Sequence, residues 1–220
     1  GSFSVPMTLR APYGGGIRAP EHHSESKEAF YAHEPGLTVV IPSTPHDAKG
    51  LLASAIRSPD PVVFLEPKLI YRAFREDVPD DPYTVPVGEA SVRREGTDVS
   101  VFTYGAMTRP TLDAAEGLAE DGVDTEVVDL RTISPLDRET VAESFRKTGR
   151  AVVVHEAPKT LGVGAEVVAT LQEAALPYQE APIERVTGYD VPFPLYDLEK
   201  FYLPNAARVM EAVERVVEYR

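Results

Sequence analysis

Short, unbroken apolar runs alternating with longer helical stretches constrain this chain more than any other feature. Leu37 to Ile41 (LTVVI), Pro61 to Leu65 (PVVFL) and Ala151 to Val154 (AVVV) show no apolar-polar alternation. A strand that is apolar at consecutive positions is buried on both faces, as in a parallel sheet covered by helices. Between the first two runs, Ala48, Leu51, Leu52, Ala55 and Ile56 recur at helical spacing within Asp47 to Arg57. Phe3 to Leu9 reads as a leading strand, and Ser24 or Ser26 as the cap of a helix with Glu28 in its first turn. The first part therefore alternates β-α-β-α-β.

Glu76 to Val87 (EDVPDDPYTVPV) breaks the pattern with acids and prolines and reads as an extended linker. Alternation then resumes, with strands at 98–104, 125–130, 151–154 and 183–186 and helices at 108–120, 137–147, 163–175 and 204–219. The expected fold is α/β: residues 1–75 as the second half of a larger domain, 76–86 as linker, and 87–220 as a domain with a mostly parallel sheet. Residues 1–75 bury too little surface to be comfortable alone, whereas 87–220 is expected to fold independently.

Chemistry concentrates in Pro12 to His33, where Gly14, Gly15 and Gly16 precede His22 and His23. A glycine loop between a strand and a helix is where open α/β sheets place their ligands. A histidine there is suited to proton transfer near neutrality; the bland alternative is a polar loop residue. His33 lacks the spacing of a metal site with this pair. His155 follows the AVVV run and is expected at that strand's carboxyl end, as an interface or hydrogen-bonded structural histidine. Gly162 and Gly164 form half of a dinucleotide fingerprint whose third position is Val167, and no G-x-S-x-G elbow occurs.

The net charge of −13, from 35 acidic and 22 basic residues, argues against nucleic acid or an anionic membrane as partner. The acids are scattered, as on a solvated surface; adaptation to high salt and ordinary acidity both fit. The absence of cysteine rules out disulfides and thiolate chemistry and suits a cytoplasmic location.

The run TLRAPYGGGIRAPEHHSESKEAFYAHEPGLTVVIPSTPHDAKGLLASAI resembles the beta subunit of thiamine-diphosphate-dependent 2-oxo acid dehydrogenases. The likeness continues through PVVFLEPKLIYRA, TDVSVFTYGAM, VVDLRTISPLD, KTGRAVVVHEAPKT, APIERVTGYDVPFP and EKFYLP, and so covers essentially the whole chain. It implies part of a pyrimidine-binding domain followed by a transketolase C-terminal-type domain. The implied activity is oxidative decarboxylation of pyruvate or a branched-chain 2-oxo acid, with acyl transfer to a lipoyl group.

The family's catalytic histidine sits in an HSQS motif, matched here by His23-Ser24-Glu25-Ser26, so the resemblance assigns the role to His23. Glu25 replaces the glutamine, and a carboxylate would tend to raise the pKa of a nearby histidine. The three glycines are expected to make room for the cofactor. The resemblance places the glutamate that activates the cofactor upstream of Gly1, and the diphosphate with its Mg2+ on an alpha subunit. It implies an alpha2-beta2 tetramer, a lipoyl-bearing acyltransferase partner and a chain inactive by itself. It also implies a K+ ion beside the glycine loop, held by backbone oxygens matching Met7, Ala55, Ile56, Ser58 and Asp60. The rivals are a transketolase-like enzyme independent of lipoamide and a non-catalytic assembly subunit.

Overall fold

The computed structural model describes residues 3–219. Four strands form a first sheet: β1 (Thr8–Tyr13), β2 (Thr38–Val40), β3 (Val62–Pro67) and, from far along the chain, β7 (Thr132–Ser134). Their order is β1-β3-β2-β7, parallel except for the last. A second sheet has the order β4-β6-β5-β8-β9 and comprises β4 (Ser91–Arg94), β5 (Val99–Thr103), β6 (Thr125–Asp129), β8 (Ala151–Pro158) and β9 (Glu184–Gly188). Only β4 runs antiparallel in it.

The helices follow their local signals. In α2 (Pro45–Arg57), Thr44 caps by accepting from the Asp47 N–H at 3.1 Å, with proline at the first position. The helix α3 (Thr108–Glu120) buries Ala114, Ala115 and Leu118. Asp137 caps α4 (Arg138–Thr148), which ends at Gly149 with φ +68. Then come α5 (Val163–Ala175), the short α6 (Glu199–Tyr202) and α7 (Ala206–Val217), capped by Asn205. The early helix α1 (Glu28–Ala32) departs from expectation. Neither Ser24 nor Ser26 caps it: Lys27 occupies that position, and the Ser24 hydroxyl donates backwards to the Ala19 and Pro20 carbonyls.

The two halves interlock more closely than two independently folding units would. Beyond the exchanged strand β7, one buried cluster contains Val39, Ile41 and Leu65 of the first sheet with Phe102, Val128 and Val153 of the second. At about 1.5–3 kcal/mol for each fully buried side chain, this shared core binds the halves strongly. The linker is also no free spacer. Val85 is buried against Gly50 of α2, and the Tyr83 hydroxyl donates to the His46 carbonyl at 2.8 Å. The other edge of the first sheet is open: among the described residues, β1 pairs only with β3.

Candidate active site

The β1 strand delivers the glycine loop at its carboxyl end. Gly14 and Gly16 take φ values of +82 and +88, and Arg18 follows at +57. Such alternation turns successive N–H groups inward as an anion-binding nest. Two carboxylates fill it. The Gly15 N–H donates to Glu156 Oε2 at 2.9 Å; the Gly16 and Arg18 N–H groups donate to Glu199 at 3.2 and 3.1 Å.

The expected cofactor space around the glycines is therefore occupied by protein. A Cβ on Gly14 would stand 2.5 Å from Glu156 Oε1, one on Gly16 would stand 2.6 Å from Leu69, and one on Gly15 would run into Phe193.

His22 and His23 follow in a short helical turn, Glu21–His23, both exposed, with ring centroids 4.2 Å apart. Lys68, just beyond β3, donates through Nζ to the His23 carbonyl, and the Gly14 N–H donates to the Glu25 carbonyl at 3.1 Å. Burial lowers the Lys68 pKa, against the pull of Glu156. A cleft of about 340 Å³ opens here, lined by Tyr13, His22, His23, Glu25, Tyr31 and Lys68. Glu25 turns its carboxylate to Lys27, 2.7 Å away, instead of pairing with a histidine.

Below the loop lies a buried acid cluster that sequence reasoning missed. Glu28, in the first turn of α1, is fully buried and accepts from the Tyr104 hydroxyl at 2.6 Å, while its Oε2 has no partner among the described residues. Burial raises its pKa, against the Tyr104 hydrogen bond. Burial likewise pushes the Glu156 carboxyl up to about 8, against the Gly15 N–H and with help from the Glu28 charge. The signal for Glu156 was the unbroken β8 run, which reaches Pro158 and so carries HEAP into the sheet.

His155 is accordingly mid-strand and not at the strand's end. It is fully buried; among the described residues neither ring nitrogen makes a well-aligned hydrogen bond, and the Ala157 backbone is the polar group that favours its charged form. Burial depresses its pKa to about 4. Gly162 and Gly164 serve to pack it: a Cβ on either would lie within 3.0 Å of its Nε2. His33 lies apart from the pair, on a second cleft of about 790 Å³ shared with Phe30, Pro135 and Leu161.

Of the residues matched to the potassium site, Ala55, Ile56, Ser58 and Asp60 lie at and just past the end of α2, and Met7 lies just before β1, at the end of that strand away from the glycine loop. The Met7 carbonyl accepts from the Val62 N–H at 2.9 Å. The Ser58 hydroxyl, past the end of α2, donates to the Asp60 carbonyl at 3.0 Å, and Ala55 and Ile56 lie in the last turn of that helix. Met7 precedes β1 and Gly14 follows it, so six strand residues separate the two places. At roughly 3.3 Å per residue, that spans most of the sheet. Among the described residues, no three histidine or carboxylate side chains cluster as a metal site. Carbonyl oxygens with a free lone pair nevertheless suit a large monovalent cation.

Thiamine diphosphate fits this surface only in part. His23 and Lys68 border an open cleft of suitable polarity, but the loop amides that would cradle a diphosphate are already engaged by Glu156 and Glu199.

Comparison with known proteins agrees in extent and order. Residues 1–73 match the family described as "Transketolase, pyrimidine binding domain", and residues 88–209 match "Transketolase, C-terminal domain". A pyruvate dehydrogenase E1 component subunit beta of Bacillus subtilis (strain 168) is 52% identical over 219 residues, covering 100% of this chain and 67% of the relative. The same-named protein of Staphylococcus aureus (strain Mu50 / ATCC 700699) is 50% identical with the same coverage. A solved structure described as "Split gene transketolase, inactive beta4 tetramer" superposes with a TM-score of 0.81 at 28% identity, covering 97% of this chain and 67% of that one. No described helix is long and apolar enough to cross a membrane. With both domain matches in order and half of all positions identical along its full length, this chain belongs to the family of pyruvate dehydrogenase E1 component beta subunits.

Proposed function

We propose that the chain supplies the His23 side of a thiamine-diphosphate site shared with an alpha subunit, for the oxidative decarboxylation of pyruvate. The observation that carries this reading is His23 on the rim of the cleft at the carboxyl end of β1, its backbone held by Lys68. The bound cofactor supplies the carbanion and the electron sink that decarboxylation requires. His23 handles a proton at its imidazole as the acyl group passes to a lipoyl arm, a role an exposed ring can fill without desolvation. Lys68 orients the turn that presents that ring. In this reading Mg2+ and the diphosphate are assigned to the alpha subunit, which the internal engagement of the glycine-loop amides supports. Residues 1–75 and 87–220 act as the two working units, with 76–86 joining them.

The test is His23→Ala in the full-length chain assembled with its alpha partner. Lipoyl acylation should fall about 10²- to 10⁴-fold, the range usual for losing a general acid-base group. Decarboxylation read with an artificial electron acceptor should fall less. Undiminished lipoyl acylation would remove His23 from the mechanism. Turnover by the chain without its partner or lipoamide would favour a transketolase-like activity.

A further inference from the structure

The glycine loop and the two carboxylates in its nest come from opposite ends of the chain. Glu156 projects from β8 and Glu199 opens α6; the sequence separations are 141 residues for Gly15–Glu156 and 181 for Arg18–Glu199. Three loop N–H groups are satisfied in this way, and among the described residues none of the three donates to backbone. Arg18 is held a second time, its guanidinium lying 3.2 Å from Asp197. Both clamping carboxylates are buried, Glu156 at 3% exposure and Glu199 at 7%. The loop they hold leads directly into the His22–His23 turn.

We propose that Glu156 and Glu199 are positioning residues: by filling the backbone nest of the glycine loop, they fix the His22–His23 turn relative to the second sheet. This rests on the functional reading above only for the claim that the turn works in catalysis. The clamp itself is a property of the fold. Its two halves differ chemically. Glu199 uses both oxygens on two N–H groups. Glu156 offers Gly15 one oxygen and faces a crowded surround: the Glu28 carboxyl from α1, the phenols of Tyr13 from β1, Tyr104 after β5 and Tyr202 from α6, and the Lys68 ammonium. In the neutral form that burial favours near pH 7, it can still accept from Gly15 without adding charge beside Glu28. Burial opposes ionisation of this carboxyl, while the Gly15 N–H favours it.

The experiment uses the full-length chain assembled with its alpha partner and reads amide hydrogen exchange of peptides covering residues 14–23. Peptides from α2 and α7 report whether the fold survives. Glu199→Ala and Glu156→Ala should each speed exchange of the loop peptide about tenfold with the controls unchanged, as expected on losing a buried hydrogen bond to a carboxyl group. Glu156→Gln should restore protection, because its amide oxygen still accepts from Gly15. Glu199→Gln, with one acceptor for two donors, should restore it only partly.

In steady-state assays both alanine variants should lower kcat more than they raise KM for pyruvate. Unchanged loop protection in the two alanine variants overturns the clamp. Loosened loops with undiminished kcat overturn the positioning role. A failure of His23→Ala to slow lipoyl transfer would count against the functional reading alone.

Discussion

Asp47 and Arg131 form a two-pronged ion pair, with Nη2 to Oδ1 at 2.8 Å and Nε to Oδ2 at 3.0 Å. It joins the first turn of α2 to the segment between β6 and β7. Arg93 of β4 pairs with the same carboxylate and with Asp129, which also accepts from the Ser43 hydroxyl. Burial by itself would raise the Asp47 pKa; the two guanidinium groups outweigh it and hold the carboxyl below its ordinary value. The two carboxylates are fully buried and link the two sheets at one point.

Removing one member of such a network strands the others. Asp47→Ala should destabilise the chain by about 3 kcal/mol, because Arg131 loses its carboxylate partner and Arg93 keeps Asp129 and the Ser43 hydroxyl. Asp47→Asn should cost less, since one oxygen still accepts. Denaturant unfolding of the two variants checks this, and equal stability of Asp47→Ala and wild type would show that the network contributes nothing net.

His155 and Glu156 are neighbours on β8 and titrate in opposite directions. The His155 pKa is lowered from 6.5 to about 4, so its unfolded form binds more protons in that window and stability rises with pH there. The Glu156 pKa is raised from 4.5 to about 8, so its folded form binds more protons and stability falls with pH across that window. The two slopes oppose each other up to about pH 6.5, above which only the Glu156 loss remains, ending near pH 8. The difference in stability between wild type and Glu156→Gln should therefore change steadily from pH 6.5 to 8. A difference independent of pH over that range would refute the assignment.

We propose that a potassium ion binds the carbonyls of Met7, Ala55, Ile56, Ser58 and Asp60, as the family resemblance implies, and that it stabilises the folded chain by mass action. At about a hundred times its dissociation constant the gain is roughly 2.7 kcal/mol, a shift of a few degrees in Tm. Thermal unfolding of the assembled full-length protein in potassium and in tetramethylammonium chloride at equal ionic strength checks this. Asp60→Asn should keep the response, because the carbonyl, not the side chain, is the donor. Equal Tm in the two salts would exclude the site.

The sequence by itself determined the elements wherever local physics suffices. The apolar runs at 37–41, 61–65 and 151–154 became strands, 108–120 and 163–175 became helices, and Asp137 and Gly149 bracket α4 as capping chemistry requires. It also singled out the stretch holding His22 and His23, because glycines ahead of histidines are visible in one window. Tertiary structure alone decided what lies farther apart. Strand β7 has only three residues, too few for a periodic signal, and earns its place by pairing with β2. Glu28 looked like an ordinary first-turn acid until the second sheet brought Tyr104 over it. The glycine loop looked like space kept for a ligand, whereas Glu156 and Glu199 fill its nest from more than a hundred residues away. A hydrogen bond acts over about 3 Å of space whatever the separation along the chain, so only the folded arrangement could reveal these partners.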